Sequence, residues 1–127
     1  MNQKKLIVIL VVFATLIGCN MGTGPATISA VVTQGNCSAM QSGQNCQVTL
    51  TYNLGGESSA TFGVTYTPTQ PTTQFTPAFG GCATTGTGQQ TCAVPVMYTR
   101  PSTGRVPQTL VFTLGTAKSN GIQFVGQ

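Results

Sequence analysis

Hydrophobic and polar residues alternate along most of the chain after Ala26. The clearest run extends from Cys46 to Leu54, where Cys, Val, Leu, Tyr and Leu occupy every second position with polar residues between them. A period of two predicts a β-strand with one buried and one solvent-facing side. Shorter runs of the same kind cover residues 26–32, 60–67, 91–99, 110–114 and 122–124. No helical period follows the first 18 residues, so the pattern predicts an all-β domain.

Proline residues mark two irregular places between these strands. Pro68, Pro71 and Pro77 all lie in one stretch. Because proline lacks the N–H that a central strand needs, this stretch is predicted to be a long loop or an edge crossing. Pro95 interrupts the strand at 91–99 and predicts an edge position or a bulge there. Turns recur about every ten residues, which is typical of a β-sandwich.

The number of strands, the length of the chain and the spacing of Cys46 and Cys92 resemble an immunoglobulin-like domain. The resemblance implies an antiparallel β-sandwich of about seven strands over residues 26–127. The chain departs from antibody domains because it has no tryptophan to fill their conserved core position. A small, partly open β-barrel is the alternative fold. A second domain would not fit in this length.

The first 18 residues have the order of a secretory signal peptide. Lys4 and Lys5 precede an apolar run from Leu6 to Ile17, and the small residue Gly18 follows it. As a helix this run would extend about 18 Å, well short of the roughly 30 Å hydrocarbon core of a bilayer. A permanent membrane span is therefore not expected.

The sequence Leu16-Ile17-Gly18-Cys19 resembles the lipobox of bacterial lipoproteins. The resemblance implies cleavage before Cys19, lipidation of its thiol and acylation of the new amine, and several acyl chains give a durable anchor. Asn20 stands where many inner-membrane lipoproteins have aspartate, so the resemblance implies an outer-membrane location. Residues 19–25 then form the lipidated cysteine and a tether that reaches at most about 20 Å.

Charged residues are only 5 % of the chain, against roughly a quarter in typical globular proteins. Two of the five basic residues belong to the signal, which leaves Arg100, Arg105 and Lys118 against Glu57. So few cations cannot neutralise a run of phosphates, and a nucleic-acid partner is not expected. A surface with little charge repulsion between copies suits a protein that packs into an envelope assembly or is held at a membrane, and it leaves self-assembly open.

The residues needed for most catalytic sites are missing. The chain contains no histidine and one carboxylate side chain, that of Glu57. A catalytic triad, a pair of glycosidase carboxylates and a catalytic metal site cannot be assembled from this set. The sequence therefore predicts a protein that is not an enzyme and that has no cofactor and no metal.

Four cysteines follow Cys19 and predict two disulfides in an exported chain. Pairing neighbours, Cys37 with Cys46 and Cys82 with Cys92, would close two loops of about ten residues. The rival is a bridge from Cys46 to Cys92 between two sheets, as the immunoglobulin resemblance implies. A zinc site of four thiolates is disfavoured because no C-x-x-C spacing is present.

Two loops are candidates for binding. In the proline-rich loop, Phe75 and Phe79 could be aromatic anchors, or they could plug the open end of the sandwich. In the next turn, Arg100 and Arg105 could contact an acidic partner or lipid phosphates near the membrane, or they could simply be solvated.

Two functions remain open. The first is a structural or accessory lipoprotein that docks onto a larger assembly of the cell envelope or surface through a protein partner. The alternative is a surface-exposed binding module, either an adhesin or an inhibitor of an attacking enzyme, which predicts that Phe75 is exposed.

Overall fold

The computed structural model describes residues 24–56, 60–102 and 104–127. The predicted signal peptide, the lipidation site Cys19 and Glu57 lie outside these residues. Seven strands are present: β1 (Thr27–Gln34), β2 (Asn45–Asn53), β3 (Phe62–Thr67), β4 (Phe75–Pro77), β5 (Gln89–Tyr98), β6 (Gln108–Leu114) and β7 (Ala117–Phe124). Within the described ranges there is no helix with the length and hydrophobicity that a membrane crossing requires.

The strands form two antiparallel sheets, one with the order β1-β2-β5-β4 and the other with the order β3-β6-β7. A four-stranded and a three-stranded sheet connected in this order make up the constant-type immunoglobulin sandwich. The predicted all-β, immunoglobulin-like sandwich is thus confirmed. The alternative of a partly open barrel is wrong, because the two sheets share no continuous ladder.

The proline-rich stretch contains a short strand that the sequence pattern did not predict. β4 has three residues, and its register pairs Phe75 with Tyr98 and Pro77 with Val96. β5 therefore lies between β2 and β4, and Pro95 occupies an interior strand. The carbonyl of Pro95 accepts a hydrogen bond from the N–H of Ala78, the residue that follows β4. The backbone nitrogen and carbonyl of Pro95 therefore face the β4 side of β5 and not the β2 side. The missing N–H of Pro95 consequently costs no bond to β2.

The core fills the space between the two sheets with the in-phase residues of the sequence pattern. Val48, Leu50, Val94, Leu110 and Phe112 are all fully buried. Alternation along β2, β5 and β6 places these side chains inward, as expected for a sheet that is solvated on one side.

The two ends of the sandwich differ in their relation to the N-terminal tether. We call the end formed by residues 24–26, 54–56, 60–61, 78–88 and 115–116 the tether end, after the predicted tether, and the end formed by residues 35–44, 68–74, 99–102, 104–107 and 125–127 the distal end. At the tether end, the carbonyl of Gly24 accepts a hydrogen bond from the N–H of Gly56. Gly55 has a φ of +66°, and a Cβ there would lie 2.2 Å from the Gly24 carbonyl oxygen. Glycine at position 55 therefore allows the backbone of Gly24 and Pro25 to pass close to this turn.

The free edge of β1 is tied to the second sheet by one amide side chain. Asn120 of β7 accepts a hydrogen bond from the N–H of Ala30 and donates one to its carbonyl, each of 2.9 Å. This side chain occupies the place of a neighbouring strand's peptide group. The sandwich is thereby closed along the side where β1 and β7 meet.

Candidate functional site

Phe75 belongs to the core and is not an exposed anchor. Its side chain is fully buried, and its ring lies 5.3 Å from the ring of Tyr98 and 5.4 Å from that of Phe124. Its carbonyl accepts a hydrogen bond of 2.7 Å from the Tyr66 hydroxyl. The expectation of an exposed Phe75 is wrong, because β4 pairs with β5 and directs this side chain between the sheets.

Phe79 is also packed inward, at the opposite end of the same segment. Its ring stacks on that of Phe62 at 5.8 Å and meets the edge of Phe112 at 6.1 Å. Tyr52 extends this aromatic group, because its ring contacts Phe62 at 4.9 Å. Phe79 is partly buried against the core, as expected for a residue that plugs the end of the sandwich.

Arg100 and Arg105 lie in the loop 99–107 at the distal end. Nε and Nη2 of Arg100 donate to the carbonyl oxygen of Gln127 at 3.1 and 2.6 Å, while Arg105 is exposed. Gly24 lies at the other end of the strands, so the structure separates these arginines from the N-terminal end of the described domain. Their contact with an acidic partner or with lipid phosphates stays a prediction.

Two buried glutamines hold the distal loops in place. Nε2 of Gln74 donates to the carbonyl of Val106 at 2.6 Å and to Oε1 of Gln108 at 3.0 Å, and Oε1 of Gln74 accepts from the N–H of Val106. Nε2 of Gln108 donates to the carbonyls of Pro68 and Pro71. Every polar group of this cluster has a partner, so the two side chains connect the loop 68–74 to Val106 and to the start of β6. Sequence reasoning missed both glutamines, because nothing in the pattern distinguishes them from exposed ones.

The two disulfides join neighbouring cysteines. Cys37 pairs with Cys46 and Cys82 with Cys92. The predicted local pairing is thus confirmed, and the rival bridge between sheets is wrong since Cys46 and Cys92 lie on adjacent strands of one sheet. The first bond closes the turn before β2, and the second fastens the loop 78–88 onto β5.

The outer side of the four-stranded sheet carries no charged residue, and we call it the neutral face. Its side chains project from matched positions on β1, β2 and β5, with one contribution from β4. The rungs are Thr27 with Asn53 and Gln89, Ser29 with Thr51 and Thr91, Val31 with Thr49 and Ala93, Gln34 with Gln47 and Pro95, and Asn45 with Met97 and Thr76. Three apposed strands thus present hydroxyls, amides and small apolar groups to solvent.

Two features mark the distal half of the neutral face. Val31 and Met97, 56 % and 44 % exposed, are large apolar side chains on its surface. A shallow depression of about 320 Å³ lies at the rung of Gln34, Gln47 and Pro95, and its lining also includes Gly35, Asn45 and Cys46. The alternation in the sequence shows which residues of each strand face outward, but not that these three strands lie side by side.

No group of three or more His, Cys, Asp and Glu side chains that could hold a metal ion occurs among the described residues. One buried polar atom, the Tyr98 hydroxyl, has no hydrogen-bond partner there. It lies against Gly126, where a Cβ would come within 2.4 Å of this oxygen. The hydroxyl is therefore covered by backbone and is not accessible to a substrate.

The pH dependence of stability follows from the few titratable groups. Burial raises the pKa of Tyr52 and of Tyr66 above the usual value of 10.0. Above about pH 10 the unfolded chain therefore binds fewer protons than the folded one, and the free energy of unfolding should fall as the pH rises. Between pH 8 and pH 2, Glu57 is the only side chain that titrates. We expect the urea midpoint to stay nearly constant over that acid range.

Urea unfolding monitored by circular dichroism at a series of pH values checks this expectation. A loss of more than about 1.4 kcal/mol between pH 6 and pH 2, the equivalent of one pKa unit for one carboxylate, would contradict it.

No protein-family model matches the chain, and no curated protein or solved structure is significantly similar to it. The functional argument therefore rests on the residues and on their arrangement.

Proposed function

We propose that this chain is a non-enzymatic protein of the cell envelope, anchored by lipid at Cys19, which serves as a structural or accessory subunit of a larger envelope or surface assembly. Its docking surface is the neutral face. The absence of charge on this face is the observation that carries the proposal. The cores of protein interfaces are depleted in charged residues, as this face is.

The position of the tether supports the same function. β1 begins directly after the tether, and the long axis of the strands extends between the tether end and the distal end. With a tether of at most about 20 Å, the domain would sit close to the membrane. The neutral face would then point sideways along the membrane surface, where the neighbouring subunits of an envelope assembly are found.

The distal loops favour a second candidate function, a surface-exposed binding module. Arg105 is exposed there, and the buried amides of Gln74 and Gln108 hold the loops rigidly, which lowers the entropic cost of binding. An adhesin or an inhibitor would use this end, because it is the part of the domain most distant from the anchor.

Site-specific photocrosslinking in intact cells tests the two functions against each other. A photoreactive residue replaces Met97 on the neutral face, Arg105 on the distal loops or, as the matched control, Thr65 on the exposed outer side of β3. We expect a protein adduct from position 97 and none from position 65. The chain with Cys19→Ser should leave the membrane fraction and lose the adduct.

An adduct from position 105 alone would overturn docking through the neutral face and favour the binding module. Retention of the Cys19→Ser chain in the membrane fraction would overturn the lipid anchor.

A further inference from the structure

We propose that the occupant of the neutral face is a second copy of this chain, so that two sandwiches pack face to face about a two-fold axis. This inference rests on the proposed function only in that it uses the same docking surface. It goes further because it names the partner.

The side chains of the neutral face are complementary to themselves. Ser, Thr, Asn and Gln each carry both hydrogen-bond donors and acceptors. Any two of them brought together by a two-fold axis can therefore form a hydrogen bond. A charged face would repel its own copy, whereas two neutral faces meet with no repulsion and no cost of desolvating ions.

Val31, Ala93 and Met97 supply the apolar part of this surface. All three are exposed, and they occupy the rungs around and beyond Thr49 near the middle of β2. A second sheet stacked at about 10 Å would remove these side chains from water. The exposure of Val31 and Met97 in the single chain would then be explained by burial in the pair.

The outer face of the other sheet does not offer the same fit. Lys118 pairs with Thr113 at one of its rungs and brings a positive charge. The side chains of Thr113 and Thr109 cover Gly63 and Gly121, because an added Cβ at either glycine would lie within 2.9 Å of them. This face carries a charge, so the neutral face is the one suited to a copy of itself.

The area of the neutral face determines how tightly we expect two copies to bind each other. Three strands about 4.8 Å apart and the nine residues of β2 at about 3.4 Å each define a plane of roughly 450 Å² per copy. Two copies would bury about 900 Å² if each face were a flat plane, and the uneven surface of the side chains adds to this area. The total is close to the roughly 1,000 Å² that marks a specific interface. A weak pair that dissociates on dilution is therefore expected.

The tether is compatible with this pairing. Both tethers emerge from the same end of a pair whose two-fold axis runs parallel to the strands, since each tether enters at the end where β1 begins. Two copies attached to one membrane can then associate without turning over. Confinement to a surface raises their effective concentration and favours a weak interface.

Photocrosslinking at Ala93, with the full-length chain in its own membrane, tests the pairing directly. Ala93 is exposed at the central rung of the neutral face. Two differently tagged copies are produced together, and the fraction of product that carries both tags is measured. We expect a product of twice the chain mass joined to peptides from β1, β2 or β5. Adducts with a different protein only would overturn the pairing while keeping the proposed function, and the absence of any adduct would overturn both.

Charge insertion gives an independent measurement. Ala93→Lys or Thr91→Lys should lower the crosslinked dimer from position 97 at least tenfold, because the pair would have to bury the unpaired charges of both lysines on a face that carries no opposite charge. Thr65→Lys, on the other sheet, should leave the yield unchanged. Thermal unfolding of each variant tests whether the domain is still folded. Two lysine variants are used so that the conclusion does not depend on one substitution. An unchanged yield with folded Ala93→Lys and Thr91→Lys would overturn the pairing.

Discussion

Replacing both cysteine pairs with alanine should leave the domain largely unfolded at 37 °C. The bonds from Cys37 to Cys46 and from Cys82 to Cys92 join residues separated by 9 and 10 positions. In the chain-entropy model each is worth about 2.7 kcal/mol, and removing a native disulfide from a small exported domain typically costs about 2–5 kcal/mol. Losing both would remove a large part of the roughly 5–15 kcal/mol that stabilises a domain.

Urea unfolding of the two single-pair variants and of the variant lacking both pairs measures these effects. Each single-pair variant should lose about 2–5 kcal/mol of unfolding free energy and remain folded at 25 °C. Thr65→Ala, an exposed change away from both bonds, is the control and should change the free energy by less than about 0.5 kcal/mol. If the variant without disulfides kept the urea midpoint of the original chain, the assigned stabilising role of the two bonds would be wrong.

Phe75→Ala should destabilise the domain by about 3–5 kcal/mol, because it would empty a fully buried site between Tyr98 and Phe124. The cavity would also weaken the surroundings of the Tyr66 hydroxyl, which bonds to the backbone at this position. The urea midpoint and the thermal midpoint should both fall.

Thr76→Ala is the matched control, since Thr76 is the next residue of β4 and points outward. Its unfolding free energy should change by less than about 0.5 kcal/mol. Phe75→Leu should lose less than Phe75→Ala because it keeps most of the buried volume. An unchanged stability in Phe75→Ala, together with a lost partner in crosslinking, would contradict the core position and restore Phe75 as an anchor.

The interior strands could be predicted because, in a sheet with one solvated side, apolar residues that face the core alternate with polar residues that face water. The run from Cys46 to Leu54 therefore indicated both the strand β2 and its buried side. β4 was not predictable in the same way, because Pro77 lies within it and a strand of three residues is too short to show a period. Its existence depends on the exposed edge of β5, which the sequence pattern does not locate.

Whether the aromatic residues are exposed also depends on the tertiary structure, because it depends on the pairing of β4. Phe75 and Phe79 lie in a proline-rich stretch, where composition is equally compatible with a binding loop or with a plug. Only the pairing of β4 with β5 and the packing against Phe62 and Phe112 decided that both rings face inward.

By itself, the sequence determined the all-β class, the strands with a clear period, the scarcity of charge and the shortage of catalytic residues. These properties are local or compositional, so no folding is needed to read them. The tertiary structure decided the disulfide pairing, the inward position of Phe75 and the separation of the arginines from the tether. It also brought outward residues of β1, β2 and β5 together into the neutral face. Those features depend on which strands are neighbours, and strand neighbours are set by long-range pairing energies that no single segment contains.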